Sequence, residues 1–269
     1  MNTKGILGAI AGDIIGSAYE FHPTKRMDFP LFLPQTTFTD DTIMTIANAT
    51  WLLKDPQHTH KQLVDIMHQF GYDYAHRGYG GRFRRWLINW ETEPYNSYGN
   101  GSAMRVSPVG FYAKTLDEAL SLAKVSAEVT HNHPEGIKGA QATAAAIFMA
   151  RQGASKTEIR DYVEQTFQYD LHRTVDAMRP RYGFSEICQT SVPESIICYL
   201  ESNTWEETIR KAISMGGDAD TMACIAGGIA AATPDMEVPA DIAERCYWIL
   251  DPLLRIVLGQ FDELSKTRN

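Results

Sequence analysis

Cysteine is scarce, positive charge is in deficit, long apolar runs are missing and alternating patterns are nearly absent, and each lack removes a class of protein. The only cysteines are Cys188, Cys198, Cys224 and Cys246, and no two form a CxxC pair. They read as buried small hydrophobes, neither a disulfide framework nor a zinc site. Acidic side chains outnumber basic ones by 33 to 25 in 269 residues, a formal net charge of -8. A protein that coats nucleic acid needs the opposite balance on a clustered surface. The apolar run from Gly5 to Gly12 has the look of a signal peptide until Asp13 interrupts it. The longest later run, Met222 to Ala232, falls short of the roughly 20 residues that span a bilayer. Together these features predict a cytoplasmic protein with no membrane partner.

What is present is helical. With 12 Tyr, 11 Phe and 5 Trp the chain can pack a full core. Residues 4–20 place Gly8, Gly12, Gly16 and Glu20 on one i, i+4 ridge and Ile6, Ile10 and Ile14 on another, while Asp13, Ser17 and Glu20 share a polar stripe. Each glycine costs about 1 kcal/mol in helix propensity. A ridge of them is tolerated where another backbone comes close, so this helix is predicted to be central. Helical patterns also cover 42–54, 61–76, 116–129, 136–152, 156–168, 193–201, 205–215, 219–232 and 240–258. Gly-, Pro- and Asn-rich connectors fill 21–38, 77–83, 92–110 and 170–192. With no repeat, low-complexity tract or linker, residues 1–269 read as one all-α domain.

Two short segments carry chemistry. Phe38-Thr39-Asp40-Asp41-Thr42 precedes one helical pattern, and Gly216-Gly217-Asp218-Ala219-Asp220-Thr221 opens another. Thr and Asp are good N-caps, and acids suit a first helical turn. Capping alone does not explain two acids within three residues, twice. Neighbouring carboxylates repel unless a positive charge lies between them. Hard divalent cations fit that role, since the donors are all oxygen. With Glu20 the set becomes Glu20, Thr39, Asp40, Asp41, Asp218, Asp220 and Thr221. Its five carboxylates would be nearly neutralised by two divalent ions, if the fold joins the first forty residues to the segment near 220.

These motifs resemble those of the ADP-ribosylglycohydrolase family, in family order: Gly8-Ala-Ile-Ala-Gly-Asp-Ile-Ile-Gly-Ser-Ala-Tyr-Glu20, Phe38-Thr-Asp-Asp-Thr42, Arg77-Gly-Tyr-Gly80, Ser97-Tyr-Gly-Asn-Gly-Ser-Ala-Met-Arg-Val106, Thr130-His131, Ser191-Val-Pro193 and Gly216-Gly-Asp-Ala-Asp-Thr221. The likeness spans about residues 4 to 258. It implies an orthogonal all-α bundle with two Mg²⁺ ions (Mn²⁺ in some members) at the base of an ADP-ribose cleft. Carried over by motif, Thr39, Asp40, Asp41, Asp218, Asp220 and Thr221 would be the metal ligands, with Glu20, Asp41 and Asp220 the catalytic acids. Ser97, Tyr98, Gly99, Asn100 and Gly101 would line the diphosphate and ribose, and His131 would approach the same ligand. The Gly-rich turn agrees, because exposed backbone N–H groups bind anions. One departure is Ile229-Ala-Ala-Ala-Thr233-Pro234, where relatives carry small residues and a Tyr-Gly pair; it affects the far end of the helix and the cleft rim.

The implied reaction is hydrolysis of the glycosidic bond between ADP-ribose and an acceptor on an ADP-ribosylated protein or nucleic acid, releasing ADP-ribose. The base is Glu20 or one of the aspartates. Asn100→Ala is expected to weaken ADP-ribose binding more than metal binding. Hydrolysis of free esters such as O-acetyl-ADP-ribose, or silent ADP-ribose binding, are the competing readings. His133, in His131-Asn-His133, reads as structural. The basic and aromatic segment Arg77-Gly-Tyr-Gly-Gly-Arg-Phe-Arg-Arg85 reads as a solvated helix start, with nucleic-acid contact as its alternative.

Overall fold

Fifteen helices make up the regular structure of the described residues, 4–268, in the computed structural model. They are α1 (Leu7–Gly16), α2 (Asp40–Lys54), α3 (His60–Asp73), α4 (Gly81–Ile88), α5 (Gly101–Met104), α6 (Ser107–Tyr112), α7 (Leu116–Glu128) and α8 (Pro134–Arg151). Then follow α9 (Lys156–Phe167), α10 (Val175–Met178), α11 (Cys188–Leu200), α12 (Trp205–Ser214), α13 (Ala219–Ala232), α14 (Ala240–Ile249) and α15 (Pro252–Lys266). The described residues contain no strand; one isolated bridge joins Gly99 to Ile187. None of their helices is long and apolar enough to cross a membrane. All four cysteines are buried and unpaired.

The glycine ridge explains the architecture. Every residue of α1 and of α13 is buried, and the two helices run antiparallel in backbone contact. A Cβ at Gly8 would stand 2.7 Å from the Gly227 carbonyl, one at Gly12 would stand 2.2 Å from that of Ala223, and one at Gly16 would stand 2.4 Å from Asp220 Cα. Each four-residue step along α1 therefore moves back along α13. The C-terminal end of α1 is thereby set beside the N-terminal end of α13. This contact joins the first forty residues to the segment near 220. Around the pair pack α2, α8, α11, α12 and α14.

The expected helix over 4–20 stops at Gly16, and Glu20 lies in a bend beyond it. Ser17 turns its hydroxyl back to the Ile14 carbonyl at 2.8 Å, which competes with continuation of the ladder. Three expected connectors contain helix: α4 starts inside 77–83, α5 and part of α6 lie within 92–110, and α10 and the start of α11 lie within 170–192. The pattern over 240–258 is two helices, because Pro252 cannot continue α14. It opens α15 instead, with Asp251 capping the Leu254 N–H at 3.2 Å.

Candidate functional site

The antiparallel pair and the start of α2 bring the acids together. Asp13 projects from the buried interior of α1 and organises the turn before α2. Its carboxylate accepts from Thr39 Oγ1 at 2.6 Å, Thr39 N at 3.0 Å, Thr42 N at 3.1 Å and Thr42 Oγ1. Thr39 also caps α2, accepting from Asp41 N at 3.3 Å. Asp218 occupies the N-cap of α13 without capping it; its side chain accepts from Asn100 Nδ2 at 2.8 Å. The capping explanation thus covers Thr39 and fails for Asp218.

Two carboxylate groups result. Oxygens of Asp13, Asp41 and Asp220 lie within 4.8 Å of one another, and so do oxygens of Glu20, Asp218 and Asp220. Asp220 belongs to both. Asp41 Oδ1 is buried with no hydrogen-bond partner, and Asp41 Oδ2 accepts from Thr221 Oγ1 at 3.3 Å. No ion pair among the described residues reaches any of these acids or Asp40. Burial, then mutual repulsion, holds Asp40, Asp41 and Asp220 well above the usual carboxylate range, while burial raises Asp13 and Asp218. Glu20 is pushed up to about 7 by burial and the Asp218 charge. An all-oxygen donor set with a buried orphan oxygen and no protein cation could hold a hard metal ion.

That electrostatic arrangement has a pH signature. An acid whose pKa is raised by folding keeps a proton that the unfolded chain has released, so stability falls as pH rises between the two values. Without divalent ions, the melting temperature should decline from about pH 5 to about 7.5, spanning the Glu20 range from 4.5 to about 7. Millimolar Mg²⁺ should reduce the decline and raise the melting temperature at pH 7.5 by roughly 5 to 10 °C. Calorimetric scans with and without EDTA check both; parallel curves would count against cation binding here.

Glu20, Asp40, Asp41, Asp218 and Asp220 line a cleft of about 240 Å³, while Asp13 does not reach its lining. Of the residues singled out in the sequence, Glu20, Asp40, Asp41, Asp218, Asp220 and Thr221 line it, as do Ser97, Gly99, Asn100, Gly101 and His131. Asp40 lines the cleft but belongs to neither compact group. Thr39 lies behind the lining. Tyr98 is 43% exposed and turns edge-on to the His133 ring, away from the cleft. The 97–101 turn is fixed from across the chain: Asn100 N donates to the Glu186 carbonyl at 2.8 Å, and Cys188 N to that of Tyr98 at 3.0 Å. Lys25 donates to the carbonyls of Tyr182, at 2.6 Å, and Met215, tying the connector after Glu20 to the Gly216 turn.

His131 is anchored through Thr130 and Arg105. Arg105 can only donate, and it gives a hydrogen bond to Thr130 Oγ1 at 2.9 Å. The same hydroxyl lies 2.7 Å from His131 Nδ1, and the Nε2 side of the ring lies beside Gly99 and Gly101. Burial and the Arg105 charge hold the imidazole pKa well below its ordinary value, so the ring is neutral.

Asn100, expected at the substrate, lines the cleft and also donates its amide to Asp218 at 2.8 Å. Asn100→Ala should therefore weaken divalent-ion binding by roughly tenfold or more, as titration calorimetry with Mn²⁺ would show. Unchanged ion affinity with weakened ADP-ribose binding would restore the sequence-based expectation. Sequence reasoning missed Asp13, Arg82 and Glu186 as site neighbours. Asp13 carried a signal as the one charged residue in an otherwise apolar, glycine-ridged helix, and Arg82 as part of the basic, aromatic segment 77–85; Glu186 carried none.

Comparison with known proteins follows this geometry. A family model described as ADP-ribosylglycohydrolase matches residues 3–266. The chain is 28% identical to the ADP-ribosylhydrolase ARH3 of Mus musculus, the alignment covering 90% of this chain and 86% of that protein. It is 23% identical to the ADP-ribosylarginine hydrolase Tri1 of Pseudomonas putida (strain GB-1), over 90% of this chain and 73% of the relative. A solved structure titled ADP-ribosylglycohydrolase-related protein complex superposes with a TM-score of 0.76 at 22% identity, covering 99% of this chain and 97% of that one.

Proposed function

The chain belongs to the ADP-ribosylglycohydrolase family, and from that membership we propose that it hydrolyses the bond between ADP-ribose and an acceptor group, using divalent cations held around Asp220. The observation that carries this reading is the pair of carboxylate groups that share Asp220 in the cleft lining, with Asp41 Oδ1 buried and unpartnered. Asp13, Asp41 and Asp220 would hold one ion and Glu20, Asp218 and Asp220 a second, with Thr39, Asp40 and Thr221 as further oxygen donors. Mg²⁺ is the favoured ion, with Mn²⁺ as its substitute. Bound there, the ions would supply a water of lowered pKa and a template for the ribose hydroxyls.

The chain's own groups divide the remaining work. Glu20 is half-buried on the cleft side, so it is the acid best placed to take a proton from the attacking water. The surrounding carboxylates favour the positive charge that develops at the C1″ carbon as the acceptor leaves. The neutral His131 ring and the turn at Ser97, Gly99 and Gly101 offer polar groups to ribose and diphosphate. A cleft of about 240 Å³ is smaller than the pockets of roughly 300–1,000 Å³ that enclose a drug-sized ligand. The reacting ribose would lie inside and the adenosine would run out over the rim.

One hydrophobic cluster extends from Ile6 to Phe261, which supports reading residues 1–269 as one domain. The four unpaired thiols fit a reducing compartment such as the cytoplasm. The test is a hydrolysis panel with ADP-ribosyl-arginine, ADP-ribosyl-serine, ADP-ribosylated DNA and O-acetyl-ADP-ribose, with ADP-ribose release as readout. Release from a glycosidic substrate is expected. Turnover of the ester alone would change the substrate class, and binding of ADP-ribose without any turnover would leave a binding protein.

A further inference from the structure

Helix α4 begins in the cleft wall, where Gly81, Arg82 and Phe83 line the cavity, and leads away from it. Phe83, Trp86 and Leu87 are buried, which turns Arg82, Arg84, Arg85 and Ile88 outward. None of the ion pairs among the described residues involves these three arginines. Several other surface cations are paired, as in Lys61–Asp65, Arg179–Asp176, Arg210–Glu206 and Lys266–Glu263. Arg82 rests over the Tyr95 ring, 4.9 Å from its centroid, and Arg84 and Arg85 are exposed.

Just past the helix, Trp90 is 58% exposed yet held in place. Its ring stacks on His68 at 4.9 Å, and His68 stacks in turn on buried Trp86 at 4.2 Å. His68 Nε2 donates to the Glu91 carbonyl at 2.8 Å, which fixes the middle ring. An exposed indole on a stack of rings is an aromatic platform two residues past a helix that carries three exposed arginines without ion pairs. Within α4, Arg82 to Ile88 spans about 9 Å, the length of roughly three stacked nucleotides.

The geometry points to α4 and Trp90 as a docking face for the single-stranded nucleic acid of an ADP-ribosylated substrate. This proposal rests on the hydrolase reading above and names the carrier of the ADP-ribosyl group. Phosphates would pair with Arg84 and Arg85, a base would stack on Trp90, and the modified end would enter the cleft past Arg82. Binding by this face is local and compatible with a net charge of -8, since the attraction comes from a few uncompensated cations.

The experiment uses a fluorescein-labelled, twelve-nucleotide single-stranded DNA and anisotropy titrations from about 50 to about 200 mM NaCl. Wild type should bind, with affinity falling as salt rises. Arg84→Gln combined with Arg85→Gln should weaken binding about tenfold and flatten the log–log salt slope by roughly 1.4. Trp90→Ala should cost roughly fivefold or more. Hydrolysis of an ADP-ribosyl amino acid should be unchanged in the double variant, which also reports that it is folded, while kcat/KM on an ADP-ribosylated oligonucleotide should fall through KM. Equal oligonucleotide binding by wild type and double variant, or no binding by wild type at 50 mM salt, would overturn the proposal. A polyglutamate peptide binding more tightly than the oligonucleotide would overturn it in favour of an acidic protein partner. If no ADP-ribosyl substrate is turned over but the double variant still loses oligonucleotide binding, the hydrolase reading fails and the docking face stands.

Discussion

Asp220→Asn should abolish ADP-ribose release while making the metal-free protein more stable. Asp220 is the only residue common to both carboxylate groups, so its loss weakens both ion sites at once. Changes one shell further out commonly cost 10–100-fold at metal sites, so a drop of at least about 100-fold in turnover is expected here. The stability effect runs the other way. Burial and the charges of Asp218, Asp41 and Glu20 hold the Asp220 carboxyl far above its ordinary pKa, so a neutral amide relieves both desolvation and repulsion. In EDTA the variant should melt a few degrees above wild type, and Mg²⁺ should no longer raise its melting temperature. A misfolded variant would lose activity and stability together, whereas this variant loses one and gains the other. Wild-type turnover in Asp220→Asn would remove the two-ion arrangement.

The second large effect comes from the glycine ridge. An alanine at Gly12 would put its Cβ 2.2 Å from the carbonyl oxygen and 2.5 Å from the carbonyl carbon of Ala223. Those are main-chain atoms of a wholly buried helix, with no flexible side chain to yield. Overpacking usually costs about 1–3 kcal/mol, and this contact belongs at or above the upper end, a fall of roughly 6–12 °C in melting temperature. Gly16→Ala meets Asp220 Cα at 2.4 Å and Ala219 O at 2.6 Å, so it moves the shared acid itself. It should lose most of its activity at temperatures where it is still folded, whereas Gly12→Ala should keep activity until it melts. Thermal scans and ADP-ribose release on the two variants separate these outcomes. If Gly12→Ala melts like wild type, α1 and α13 are not in main-chain contact.

The ridge was legible in sequence because glycine at three successive i+4 positions has few uses other than close helix approach. The paired acid–threonine segments stood out for a similar reason, since capping needs one such residue and not four. Other parts depended on contacts that spacing does not encode. Asp13 was visible as a polar interruption, but its four hydrogen bonds to Thr39 and Thr42 come from residues 26 and 29 positions later. Asn100 sits in a turn that suits an anion, and its amide also donates to Asp218 from 118 positions away. Tyr98 shares that turn and faces outward, because the Gly99–Ile187 bridge fixes which side chains of the turn point in. Helix α4 begins inside the segment read as a helix start, whereas α10, only four residues long, hid in a stretch read as a connector.

The most direct test of the central claim is to strip the protein of divalent ions and titrate Mg²⁺ or Mn²⁺ back while following ADP-ribose release from a substrate that the hydrolysis panel identifies. The account predicts no turnover in the stripped protein and recovery that saturates near two equivalents of tightly bound ion per chain. Full turnover by the stripped protein in the presence of excess chelator would contradict it.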